Sequence, residues 1–246
     1  MRFGTGILLS MDTELKELVG KIETAFNPVS IFLYGSRART DFLERSDYEI
    51  GVLYQKDRKI SRVELKGLNP NKSINLYPFE YESFINYKID TPFPESIYFR
   101  ELIQGGKTIA GKEVVEQLVP PPITVIDLLQ RIRFDSAFAL SAVLSQRQND
   151  LVTSSTEFTK SCLFGLRCLI ILEKRKFPLT YNDIYYTGMT MDLGEYVEVV
   201  KHAMEVRKGA DPQELMLYKN ISFLNKMVRD KILSKFQLEG DIIVLR

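Results

Sequence analysis

One stretch limits the folds open to this chain: Ser30-Ile31-Phe32-Leu33-Tyr34-Gly35-Ser36-Arg37-Ala38-Arg39, followed by Ser46-Asp47-Tyr48-Glu49-Ile50-Gly51-Val52-Leu53. Ile31, Phe32 and Leu33 form a short apolar run bounded by turn residues, the pattern of a buried strand. Gly35 has no Cβ, so backbone there can approach a ligand closely. Ser36 supplies a hydroxyl and an amide, and Arg37 and Arg39 supply positive charge. A turn so equipped suits a phosphate group. The second run reads as another strand. Residues two apart on a strand share a face, so Asp47 and Glu49 project together while Tyr48, Ile50 and Val52 turn to the core. Adjacent carboxylates are costly unless a cation or a proton lies between them. Beside a phosphate turn they suggest Mg²⁺ bridging to a nucleotide. A plain strand–loop–strand with a surface ion pair between Arg39 and Asp47 leaves the shared face of the two acids unexplained.

The rest of the chain falls into a mixed half and a helical half. Leu15, Leu18, Val19, Ile22 and Phe26 recur at helical spacing and predict a helix from Asp12 to Phe26, with Asp12 or Thr13 as N-cap and Asn27-Pro28 as stop. Residues 38–45 read as a short helical turn and a loop. Residues 55–72 are polar, lack a strong period and read as a solvated excursion. Ser73–Phe79 reads as a third strand. Short helices are expected over Ser83–Lys88 and Ser96–Gln104, and a short strand over Lys107–Ala110. Pro120-Pro121-Pro122 cannot continue a helix and reads as a stiff linker. Beyond it, helices are expected over 124–147, 155–176, 180–188, 193–208 and 211–236. Thr124 and Asp127 form a capping-box pattern at the first of them. The last starts on Asp211, Pro212 and Glu214 as N-cap, first residue and first-turn acid. Residues 241–245 read as a strand or a loosely docked tail. Five helices with short connections make a bundle. The expected fold class is α+β: a mixed-sheet domain with helices over 1–119, then an all-α bundle over 120–246.

Composition excludes several functions. With 246 residues, 45% of them hydrophobic, the chain can build a sizeable core. A net charge of +1 gives no bulk attraction to nucleic acid, so any basic site must be local. Cys162 and Cys168 lie on different faces of one helical pattern with no third thiol, which predicts buried free thiols in a reducing cytoplasm. His202 is the only histidine and cannot alone make a histidine-based metal site or a Ser-His-Asp triad; it reads as a surface or boundary residue of a helix. No segment reaches the apolar length of a membrane span, and the Gly6-Ile7-Leu8-Leu9 run is too short for a signal peptide. Met11 is an alternative start. In the helical half Asp135, Lys160 and Arg167 interrupt apolar faces; each is a candidate contact or equally a solvated residue.

Gly35-Ser36, ten residues, then Asp47-x-Glu49 resembles the signature of the nucleotidyltransferase superfamily related to DNA polymerase β. Gly-Ser-Arg-Ala-Arg with Ser-Asp-x-acid resembles the minimal and kanamycin-type members. The resemblance implies transfer of a nucleoside monophosphate from an NTP such as ATP to an acceptor hydroxyl with Mg²⁺. It assigns Gly35 and Ser36 to the β- and γ-phosphates, Asp47 and Glu49 to the metal, and Arg37 and Arg39 to phosphate contacts. The helical half would form the other wall and help choose the acceptor: a small molecule, a protein or a nucleic-acid end. A homodimer is also compatible, and no membrane partner is expected. The family carries a third aspartate on the next strand, and Asn75 stands at that place. Glu49 replaces the second aspartate. The two-metal site is therefore expected to be incomplete, which keeps a second reading open: a catalytically degenerate nucleotide-binding or antitoxin-like module. The Arg–His motif of the helical HEPN ribonucleases that accompany some minimal members is absent around His202.

Overall fold

The computed structural model describes residues 13–39, 41–44, 46–69, 71, 73–239 and 242–243, with 237–239 and 242–243 as backbone only. The chain divides into two compact units that part between Pro121 and Pro122. The first is a small mixed sheet with helices and the second is helical, an α+β fold.

Helix α1 (Thr13–Phe26) buries Leu15, Leu18, Val19 and Ile22 along one stripe. Strand β1 (Ser30–Tyr34) follows and is buried along its whole length. A five-residue helix α2 (Gly35–Arg39) then turns the chain toward β2 (Tyr48–Tyr54). Next come α3 (Arg62–Leu68), β3 (Ile74–Glu80), α4 (Tyr81–Ile85), α5 (Glu95–Gly105) and β4 (Lys107–Gly111). The sheet order is β3-β2-β1-β4. Strand β1 pairs antiparallel with both β2 and β4, whereas β2 and β3 are parallel. A parallel pair needs a crossover rather than a hairpin. Residues 55–73 supply it.

That crossover corrects the reading of 55–72 as a solvated excursion. It holds a 3₁₀ turn (Lys56–Arg58) and α3, whose Ser61 hydroxyl accepts from the Glu64 amide while the Glu64 carboxylate accepts from the Ser61 amide. Leu65 of α3 is fully buried in the core shared by α1 and one sheet face. The other sheet face carries an aromatic core built on Phe32, Phe79, Phe84 and Phe99. Alternation along the strands sorts the residues. Ile50 and Val52 enter the first core, and Leu53 enters the second.

The second unit opens with a short strand β5 (Ile123–Thr124), paired antiparallel with β6 (Ile242–Ile243). Among 241–245, residues 241, 244 and 245 lie outside the described residues. Helix α6 (Val125–Arg147) starts on the Thr124/Asp127 capping box. It packs along α7 (Leu151–Lys174), capped by Asp150. Then come α8 (Tyr181–Gly188), α9 (Val197–Arg207), α10 (Glu214–Ser222), a π-helical segment (Phe223–Val228) and α11 (Arg229–Glu239). Neither Cys162 nor Cys168 forms a disulfide, and both are buried in α7.

Two expectations are corrected here. Helix α10 begins at Glu214 and its N-cap Gln213 makes no side-chain cap; Asp211 and Pro212 lie before it. His202 is buried on α9 rather than at the surface. The two facts have one cause. The Gln213 backbone N–H donates to His202 Nε2 at 3.0 Å, so a side chain from α9 does the work of the cap.

Candidate active site

Three strand ends meet at one edge of the first unit. Tyr34 closes β1 opposite Glu49 of β2, and Glu49 lies opposite Asn75 of β3. Gly35 adopts φ +75°, and a Cβ built on it would run into the Glu49 carboxylate. The acid therefore lies directly over the glycine of the turn, in space that any side chain would take. Asp47 stands exposed just before β2, held by the bond from the Tyr48 amide to the Ser73 carbonyl at 2.8 Å. The Asn75 amide Nδ2 donates to Asp47 Oδ2 at 3.2 Å. Asp47, Glu49 and Asn75 are thus brought together beside Gly35 and Ser36.

Arg37 and Arg39 are engaged elsewhere. Arg37 donates through Nε to the Ser46 carbonyl and through Nη2 to the Glu44 carbonyl, both at 2.9 Å. Its guanidinium lies over Phe42 at 4.6 Å and over Tyr48 at 4.5 Å. It clamps the loop that delivers Asp47. Arg39 pairs with Asp41 at 3.6 Å in a nearly buried setting and packs under Gly105 at the end of α5. Positive charge in the sequence could not reveal that loop carbonyls and a local acid would claim these donors.

Sequence reasoning also missed a wall of tyrosines and one arginine. Tyr34 and Tyr98 place their hydroxyls 3.5 Å apart. Burial, then Tyr98 and Glu49, push the Tyr34 hydroxyl far above its ordinary range. Burial pushes Tyr98 well up too, with Glu49 and Glu101 adding to it. Tyr77, two residues beyond Asn75 on the same strand face, is pushed up by burial and by the charge of Glu49, against a downward pull from Arg62; Asp47 adds to the rise. The Arg62 guanidinium lies 4.7 Å from the Tyr77 ring centre. Tyr77 was within reach of the strand period, but Arg62 comes from α3, across an edge that no local pattern describes.

Glu80 does not take the place of Asn75. Glu80, at the far end of β3, caps α4 by accepting from the Glu82 and Ser83 amides at 3.1 and 2.8 Å. Those bonds hold its carboxyl below the usual range. Among the described residues no three His, Cys, Asp or Glu side chains cluster as a metal site would require. In the second unit Asp135 is fully buried against Arg131 at 3.1 Å. Arg167 is buried and lies over Phe164 at 4.5 Å, and Lys160 is exposed.

No protein-family model and no curated protein matches this chain. Solved structures do. Spectinomycin adenyltransferase AAD(9) from Enterococcus faecialis, determined with ATP and spectinomycin, overlays 86% of this chain and 96% of its own at 13% identity, with a TM-score of 0.51. This chain shares its fold, helical part included. A nucleotidyltransferase candidate from Sulfolobus solfataricus overlays 30% of this chain and 69% of its own, at 18% identity and a TM-score of 0.26. No helix among the described residues is long and apolar enough to cross a membrane.

Proposed function

We propose that this protein binds an NTP, ATP in the first instance, and transfers its nucleoside monophosphate slowly to an acceptor hydroxyl. The observation that carries the reading is the meeting of Asp47, Glu49 and Asn75 over the Gly35 turn. The adenyltransferase fold supports it. Gly35 and Ser36 would receive the β- and γ-phosphates, since the glycine leaves backbone amides open and the serine adds a hydroxyl. Arg37 positions the Asp47 loop. The second unit is assigned a part in acceptor recognition.

Hard carboxylate oxygens suit Mg²⁺, and Asp47 with Glu49 fit one ion whose remaining ligands come from nucleotide and water. Bound there, Mg²⁺ would neutralise phosphate charge as it moves onto the leaving group. A second ion does not fit as well, because Asn75 brings no charge and already donates to Asp47. In the reaction the acceptor oxygen bonds to the α-phosphorus, the bridge to the β-phosphate breaks, and pyrophosphate leaves. Among the described residues no third carboxylate clusters with Asp47 and Glu49, so the hydroxyl proton passes to water or to Glu49. Turnover is therefore slow. That same bond between Asn75 and Asp47 favours a second reading, an NTP-binding module with no transfer at all.

Titration calorimetry with Mg²⁺ and α,β-methylene-ATP, joined to pyrophosphate release with ATP, separates the two. Binding in the wild type, weakened by Ser36→Ala and lost in Asp47→Ala, is the expected result. At a ligand concentration 100-fold above Kd the fold should gain about 2.7 kcal/mol. A melting curve that no NTP moves would end both readings.

A further inference from the structure

The sheet order gives the site a direction. The Gly35 turn ends β1, the acids belong to the β2 end, and Asn75 and Tyr77 lie on β3. Neighbouring strands lie about 4.8 Å apart, so roughly 10 Å separates the phosphate turn from the β3 side. Attacking and leaving oxygens stand in line across the transferred phosphorus. With pyrophosphate over β1 and the metal acids on β2, the attacking hydroxyl comes in over β3. The β3 side of this unit is therefore its acceptor wall.

The charge of that wall is unusual for a site built around acids. Asn75 is neutral. Arg62 is exposed on α3, on the sheet face opposite to Tyr77, and reaches around the edge strand β3 to lie over the Tyr77 ring. Where a carboxylate would repel an anion, this wall offers an amide, a phenol and a guanidinium resting on an aromatic platform. An exposed guanidinium so held spends one donor on the Tyr77 hydroxyl and has further N–H groups to present to a planar or tetrahedral anion.

We propose that the acceptor is a small hydroxyl compound carrying a phosphate or carboxylate, with that anionic group seated on Arg62 above Tyr77. The inference rests on the nucleotidyl-transfer reading and names its second substrate class. It runs against a polycationic acceptor such as an aminoglycoside, which would want acids where Asn75 and Arg62 stand. It also runs against a nucleic-acid end, since one arginine serves one anionic group and the chain's net charge of +1 supplies no basic track.

The test uses the full chain saturated with Mg²⁺ and α,β-methylene-ATP, titrated with ribose 5-phosphate, glycerate, spectinomycin and a short DNA oligonucleotide. Ribose 5-phosphate or glycerate should saturate, and the tighter of the two identifies the anion. Arg62→Gln should weaken that probe roughly tenfold or more, the worth of one charge-assisted contact. Arg62→Glu should abolish it. Both variants should fold, because Arg62 is exposed at the start of α3, where an acid is welcome. Saturation by spectinomycin or DNA alone, failure of both anionic probes, or equal binding in wild type and Arg62→Gln overturns the proposal. A wild type that does not bind α,β-methylene-ATP with Mg²⁺ refutes the transfer reading itself, and that is read from a separate titration.

Discussion

Gly35→Ala is expected to destabilise the protein by more than about 1 kcal/mol, because alanine is strained at positive φ and its methyl would displace the Glu49 carboxylate. Urea unfolding measures the stability, and the same variant should lose Mg²⁺-dependent nucleotide binding. Asn75→Asp has an effect that changes sign with the metal. Without Mg²⁺ its melting temperature should fall, since a donor to Asp47 becomes a like charge. With Mg²⁺ it should rise above wild type, and pyrophosphate release should quicken. Identical melting with and without Mg²⁺ would put Asn75 outside the metal's reach. Much of this geometry is readable from the chain, because a two-residue period places Asp47 with Glu49 and Asn75 with Tyr77. The fates of Arg37 and Arg39 are not readable. A guanidinium is satisfied by whichever acceptors the loop brings to it, and only the folded loop sets Ser46, Glu44 and Asp41 in place.

Among elements, α3 shows how a strong local signal can be overlooked. Ser61-x-x-Glu64 is a complete capping box, yet the polar composition around it hides the helix. Ser61→Ala should cost about 1 kcal/mol, seen as a lower melting temperature, and should loosen the crossover that holds β2 and β3 parallel. The Ser61 hydroxyl and amide hold the exposed Glu64 carboxyl below its ordinary value, so this cap is intact above the usual carboxylate range and fades as pH falls through the lowered one. Helix α10 carries the opposite lesson. Asp211 and Pro212 look like a start, but His202 from α9 caps Gln213 instead, and tertiary structure overrides a good local pattern. The π-helical segment leaves no trace in the periodicity. It brings Leu224 against Gly165 of α7, where a Cβ would collide with the leucine. Gly165→Val should therefore cost ~1–3 kcal/mol by overpacking.

At the scale of the whole molecule, the α+β class, a mixed sheet followed by helices, can be read from the change of period along the chain. Alkaline stability belongs to this scale as well. Tyr34 and Tyr98 have folded-state pKa values raised by burial, so the folded chain keeps their protons where the unfolded chain begins to lose them. Stability is full below about pH 10 and declines as pH climbs beyond it. Absorbance at 295 nm should show these tyrosines ionising only together with loss of structure; early, reversible ionisation of all tyrosines would contradict it. The pairing of Ile123 and Thr124 with Ile243 and Ile242 has a consequence of another kind. The helical unit closes like a lariat, its first strand and its last described residues sharing one two-rung ladder about 4.8 Å wide. A unit with neighbouring ends can be spliced into the middle of a foreign polypeptide without prying the host's two junctions apart. By the same token, a bulky fusion at the C-terminus of this chain pulls on the residues where the helical unit begins.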